Sequence, residues 1–190
     1  MNMKNGNIIP AILMTLLMIA CCSEPTYEIT IIDIESRALI LDGINVIEFD
    51  KQNSIDKDEF VIEIDIIEQE EIASSEFLNH KDGDTKVSRA AVVPCADQVL
   101  IYKNNIKSIK VEVLDVGTDN ERIDITNQLV IVGTQTSISQ YISQNPQGIG
   151  YFLVQFSDTS NIPGRIEYVI EANLDDGTII NAMNGVIIFN

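Results

Sequence analysis

The chain has no tryptophan, a single histidine (His80) and three cysteines, Cys21, Cys22 and Cys95. Each scarcity closes off a class of chemistry. A Ser-His-Asp or Cys-His centre would have to use His80, which stands in the polar run NHKDGDTKVSR (Asn79–Arg89), and no G-x-S-x-G accompanies it. A zinc site is excluded by the same count: two adjacent cysteines do not take the C-x₂-C bite, and one histidine is too few to complete the set. A glycosidase cleft wants stacking aromatics around its two carboxylates, and aromatics make up 6 % of this chain. Basic residues are also few, 12 against 29 acidic ones, for a net charge of −17. A field of that sign repels phosphate backbones and anionic membrane surfaces. There is no glycine-rich phosphate loop, and Lys103, Lys107 and Lys110 form the one basic cluster, which reads as edge protection or a solvated face.

Long apolar runs are scarce too. The one at Ile8–Ala20 has 13 residues, short of the ~20 that span a bilayer as a helix. It follows a short segment carrying Lys4 and suits the apolar region of a signal peptide. Met18, Ile19 and Ala20 lead directly into Cys21, an order that resembles a bacterial lipobox. The resemblance implies diacylglyceryl transfer to the Cys21 thiol, cleavage before it and N-acylation. Residues 1–20 are then a cleaved lipoprotein signal peptide and 21–26 a lipidated tether. Several acyl chains anchor where one holds only marginally, at ~0.8 kcal/mol per buried methylene. Removing residues 1–20 takes away only Lys4, which leaves 11 basic against 29 acidic side chains. The residue after Cys21 is Cys22 and not Asp, so by the enterobacterial sorting rule the implied address is the outer membrane, on its periplasmic or its external face.

With Cys21 acylated, two cysteines remain. In an oxidising envelope a Cys22–Cys95 disulfide would pin the tether to the domain and restrain the unfolded chain by ~4 kcal/mol through a loop of roughly 70 residues. The other reading is a buried free Cys95 with Cys22 idle in the tether.

Aliphatic residues, isoleucine above all, fill what the aromatics leave, and from Tyr27 onward they recur with period two. Phe60, Ile62, Ile64 and Ile66 alternate along one run; Ile109, Val111 and Val113 along another; Phe152, Val154 and Phe156 along a third; Ile166, Tyr168, Ile170, Ala172 and Leu174 along a fourth. Such alternation with β-branched enrichment predicts strands with one buried face each. Further strands are predicted at Tyr27–Ile34, Arg37–Asp42, Asn45–Phe49, Thr178–Ala182 and Val186–Phe189. Asp175-Asp176-Gly177 is a strong hairpin mark, and Asp42-Gly43, Asp82-Gly83, Asn145-Pro146 and Pro163-Gly164 are further breaks. Helical signal is confined to a turn within Ile125–Val132 and a short stretch at Ser137–Ser143. The expected fold is an all-β, immunoglobulin-like antiparallel β-sandwich of about eight or nine strands with one or two short helical turns. It forms a single domain over 27–190, with an exposed polar loop near 79–89.

The lipobox, the acidic β-rich body, the stretch Cys95–Leu114 with IYKNNIKSIKVEVL, the IDIT after it and the closing YVIEANLDDGTII (Tyr168–Ile180) resemble a family of small, uncharacterised lipoproteins of Bacteroidota, over most of residues 13–190. The resemblance implies a location and a fold, and no mechanism. Among acid-based sites, calcium suits hard oxygen ligands best: Asp115, Asp119, Asn120, Glu121 and Asp124 form a candidate Ca²⁺ loop, although their order is not that of an EF-hand, and the other reading is a solvated turn between strands. The expected function is therefore that of a non-enzymatic cell-envelope lipoprotein, a membrane-anchored sandwich that binds or scaffolds an envelope protein or glycan and no nucleic acid. The alternative is a carbohydrate-binding accessory of a glycan-uptake system, which one exposed aromatic patch of Tyr141, Tyr151 and Phe152 would favour.

Overall fold

The computed structural model describes residues 26–50, 53–73, 99–117 and 119–190. The signal segment, Cys21, Cys22, Cys95, His80 and the polar loop near 79–89 lie outside the described residues. Eleven strands are described: β1 (Thr26–Asp42), β2 (Asn45–Glu48), β3 (Phe60–Ile72), β4 (Val99–Tyr102), β5 (Ile106–Val116), β6 (Asp119–Asp124), β7 (Leu129–Ile131), β8 (Tyr151–Phe156), β9 (Arg165–Leu174), β10 (Ile179–Met183) and β11 (Ile187–Ile188). One short helix, α1 (Ile138–Gln144), and 3₁₀ turns at Lys57–Glu59 and Thr126–Gln128 complete them. The chain groups into two compact units. In the smaller one the described residues are 26–28, 70–73 and 99–101, where the Ala73 N–H donates to the Thr26 carbonyl at 2.9 Å.

The larger unit, Ile29–Gln69 with Tyr102–Asn190, is the all-β antiparallel sandwich that the alternation predicts. One sheet runs β2-β1-β3-β8-β7, the other β10-β9-β5-β6 with β11 also on β9. The chain changes sheets before β5, after β6 and again after β8, so each layer is stitched from distant stretches of sequence. Period two decides which side chains meet between the layers. On β9, Ile166, Tyr168, Ile170, Ala172 and Leu174 are all buried, and so are Phe60, Ile62, Ile64 and Ile66 on β3. The few aromatics are concentrated here: Phe60 stacks on Phe156 at 5.6 Å and meets Phe189 and Tyr168 edge-on at 5.3 and 6.2 Å. Each fully buried side chain of this size contributes roughly 2–3 kcal/mol relative to exposure. The Tyr168 hydroxyl accepts from Asn184 Nδ2. Burial pushes its pKa up to about 12 against the lowering effect of that bond, so it is a neutral core group.

Two local differences from the sequence reading have physical causes. β1 is one strand of 17 residues and not two. Ile32 and Asp33 are both exposed between buried Ile31 and Ile34, and the Asp33 carboxylate accepts the Ile34 N–H at 2.8 Å. The inward parity therefore shifts by one residue without ending the strand, as at a bulge. β6 and β7, which the periodicity does not announce, are held by their neighbours: Ile123 pairs with Val113, and Val130 with Gln155. β5 lies between β9 and β6, so Lys110 sits on an open sheet face and not at an edge. The short helical turns fall where they are expected, and Ser137 caps α1 by accepting the Gln140 N–H at 3.3 Å.

Candidate functional site

The two quoted stretches that carry Asn104-Asn105 and Asp175-Asp176 meet in the fold. The Asn105 N–H and Nδ2 donate to the two carboxylate oxygens of Asp175 at 2.9 and 3.1 Å, and the Asp175 N–H returns a bond to the Asn105 carbonyl at 2.9 Å. Asn104 is buried; its Oδ1 accepts the Ile31 N–H at 2.8 Å, and its Nδ2 donates to the Ile31 carbonyl and to Asp176 Oδ2 at 3.3 and 3.2 Å. One amide thus serves as a strand partner for β1 while its free donor holds the β9–β10 turn. The hydrogen bonds from Asn105 hold the Asp175 carboxyl below the usual carboxylate range, and those from Thr178 and Asn104 do the same for Asp176.

Beside this clasp a groove of about 380 Å³ opens between the start of β5 and α1. Ile106, Ile109 and Ile142 form its apolar floor, and Ser139, Ser143 and Asn105 line its sides. Asn105 Oδ1 is buried here with no hydrogen-bond partner among the described residues.

A second depression, of about 370 Å³, lies on the outer face of the first sheet and is lined by Arg37, Glu63, Asp65 and Tyr151. Glu63 and Asp65 point outward because they alternate with buried Ile62, Ile64 and Ile66. Tyr151 stands opposite Asp65 in the β3–β8 register and is 68 % exposed. Arg37, reaching across from β1, pairs with Glu63 at 2.6 Å. The result is an exposed phenol ring beside a fixed guanidinium–carboxylate pair and a second carboxylate. These groups can stack on a planar or polyol face and exchange hydrogen bonds with it. The pattern of β3 places the two acids outward; Arg37 lies beyond its parity shift on β1, and no local signal brings it to Glu63.

Tyr141, Tyr151 and Phe152 do not form one patch. Tyr141 packs on Phe152 at 5.2 Å and Phe152 is buried, whereas Tyr151, its neighbour in the strand, faces out. The acidic segment at Asp115–Asp124 is a hairpin made by β5 and β6, with Val116 opposite Asp119 and Glu112 opposite Asp124. Asp115 and Asp124 are not brought together: three residues of strand, ~10 Å, separate their positions along the ladder. Asp124 accepts the Thr126 N–H and hydroxyl at 2.9 and 2.6 Å. The side chains of Asp119, Asn120 and Glu121 lie outside the described residues. Among the described residues no group of three His, Cys, Asp or Glu side chains is placed to hold a metal, and no helix among them is long and apolar enough to cross a membrane.

Comparison with known proteins finds no match: no protein-family model, no curated protein and no solved structure is significantly similar to the chain.

Proposed function

We propose that the chain is a non-enzymatic cell-envelope lipoprotein whose β-sandwich is held at the outer membrane by acylated Cys21 and binds or scaffolds a partner there. The observation that carries the anchorage is the uncharged run Ile8–Ala20 ending directly at Cys21. A thiol at that junction sits where an apolar segment meets water, which is where lipid transfer needs its nucleophile. The net charge of −17 keeps the body off an anionic bilayer, so attachment requires a covalent anchor. Labelled palmitate should enter the wild-type chain and not a Cys21→Ala variant; equal labelling of both overturns the anchorage.

A second reading, a carbohydrate-binding accessory, draws on the depression at Arg37, Glu63, Asp65 and Tyr151. A single exposed ring next to three hydrogen-bonding side chains suits one or two neutral sugar units, and the net negative charge of the patch disfavours anionic ones. A glycan array probed with the full-length chain should show neutral oligosaccharide hits that Tyr151→Ala abolishes. An array without hits, or hits that survive the substitution, removes this reading and leaves the anchorage untouched.

A further inference from the structure

β2 forms an end of the first sheet, in the order β2-β1-β3-β8-β7. Sheet edges present unpaired backbone and are ordinarily guarded by lysine, proline or an inward charge. β2 reads Asn-Val-Ile-Glu and all four residues are exposed; it has no lysine or proline, and its guards are its shortness and the one charge at its end, Glu48. The apolar content is high: Ile44 at the turn is 98 % exposed, Ile47 47 % and Val46 37 %. The register explains why. Ile47 stands opposite Ile40, which packs on the core, and Val46 stands opposite Leu41 on the other face. Both faces of β2 therefore continue an apolar surface, and among the described residues no strand other than β1 pairs with β2. The Phe49 N–H donates to the Ala38 carbonyl at 3.4 Å. Antiparallel alternation then gives residues 45, 47 and 49 to β1 and turns the N–H and C=O groups of Val46 and Glu48 toward the open edge.

We propose that this edge is an interaction surface that takes an extended segment of a partner polypeptide by strand addition, with apolar residues at the centre of the segment and lysine or arginine at its ends. Backbone bonds to Val46 and Glu48 fix the segment, and Val46 and Ile47 receive alternate side chains. The flanking charges are exposed Asp42 and Glu48, so the ends of the segment are basic. A second copy of this chain is the poorer occupant. It would bring another −17 against the first, and a strand of four residues buries far less than the roughly 1,200 Å² of a stable interface. The small area also makes the interaction weak and exchangeable. It is independent of the anchorage at Cys21 and of the depression on the sheet face.

The test uses the full-length chain and two synthetic peptides, Lys-Val-Thr-Val-Thr-Lys and the same sequence with glutamate at both ends. The lysine-flanked peptide should slow amide exchange at Val46 and Glu48, weaken as salt rises, and bind at least ten-fold more tightly than its glutamate counterpart. Val46→Pro removes an outward N–H and should abolish binding. Glu48→Lys leaves the backbone intact and should reduce or reverse the preference between the peptides. Absence of protection by either peptide, equal binding of both, unchanged binding by Val46→Pro in a folded chain, or protection that grows with protein concentration alone would each overturn the proposal, the last in favour of self-pairing.

Discussion

The turn at Asp175–Gly177 and the turn at Gly43–Ile44 each reverse a long strand onto a short one, and each uses a glycine at positive φ, 89° at Gly177 and 65° at Gly43. In the first, Asp176 accepts the Thr178 N–H across the turn at 2.8 Å, Asp175 is gripped by Asn105, and Asn104 ties Asp176 to β1. In the second, the loop carries Ile44 almost fully into solvent and leads into an exposed edge strand. The sandwich is therefore closed at one hairpin by matched polar side chains and left open at the other with apolar ones. Turn chemistry alone fixes how a strand reverses; what the flanking residues bond to decides whether the hairpin is structure or surface.

The largest effect on this contrast is expected from Asn104→Ala. It leaves the Ile31 N–H buried without its acceptor and releases the Asp176 turn, at a cost of about 2–3 kcal/mol in denaturant unfolding. Acid should come next. The carboxyls of Asp175 and Asp176 titrate below their ordinary value of 3.8 in the folded chain. Their stabilisation is thus complete above that value and is lost as pH falls through the depressed folded values. Replacing both with Asn should flatten the fall in unfolding free energy as pH drops below about 4. The smallest effect belongs to the open hairpin: Ile44→Asn should change stability by no more than about 0.5 kcal/mol. A loss as large as that of Asn104→Ala would mean that Ile44 is a packed residue and not a free surface.

The strands that carry the core were legible because each repeats one rule over its length. The buried set on β9 is the set its alternation predicts, and the same holds for β8; on β3 and β5 the predicted residues are buried together with off-pattern Val61 and Ile106. β1 read as two strands because its parity shifts at Ile32-Asp33, and that shift is set by a side-chain-to-backbone bond that hydrophobic pattern does not register. β6 read as an acidic loop because its one apolar residue, Ile123, becomes informative only opposite Val113. The same limit applies to the sites. Asp175-Asp176-Gly177 announces a turn from sequence, but its engagement with Asn104 and Asn105, some 70 residues earlier, depends on which strands become neighbours. The depression on the sheet face draws Arg37, Glu63 and Tyr151 from three strands, and the pairing of those strands is decided by the core.

Site-resolved amide exchange on the free full-length chain tests the closed-and-open account most directly. The amides of Ile31, Asn105 and Asp175 should exchange slowly, and those of Val46 and Glu48 at nearly the rate of an unstructured peptide. Protection at Val46 and Glu48 as strong as at Ile31 and Asn105 would show that the edge is already covered and would contradict the account.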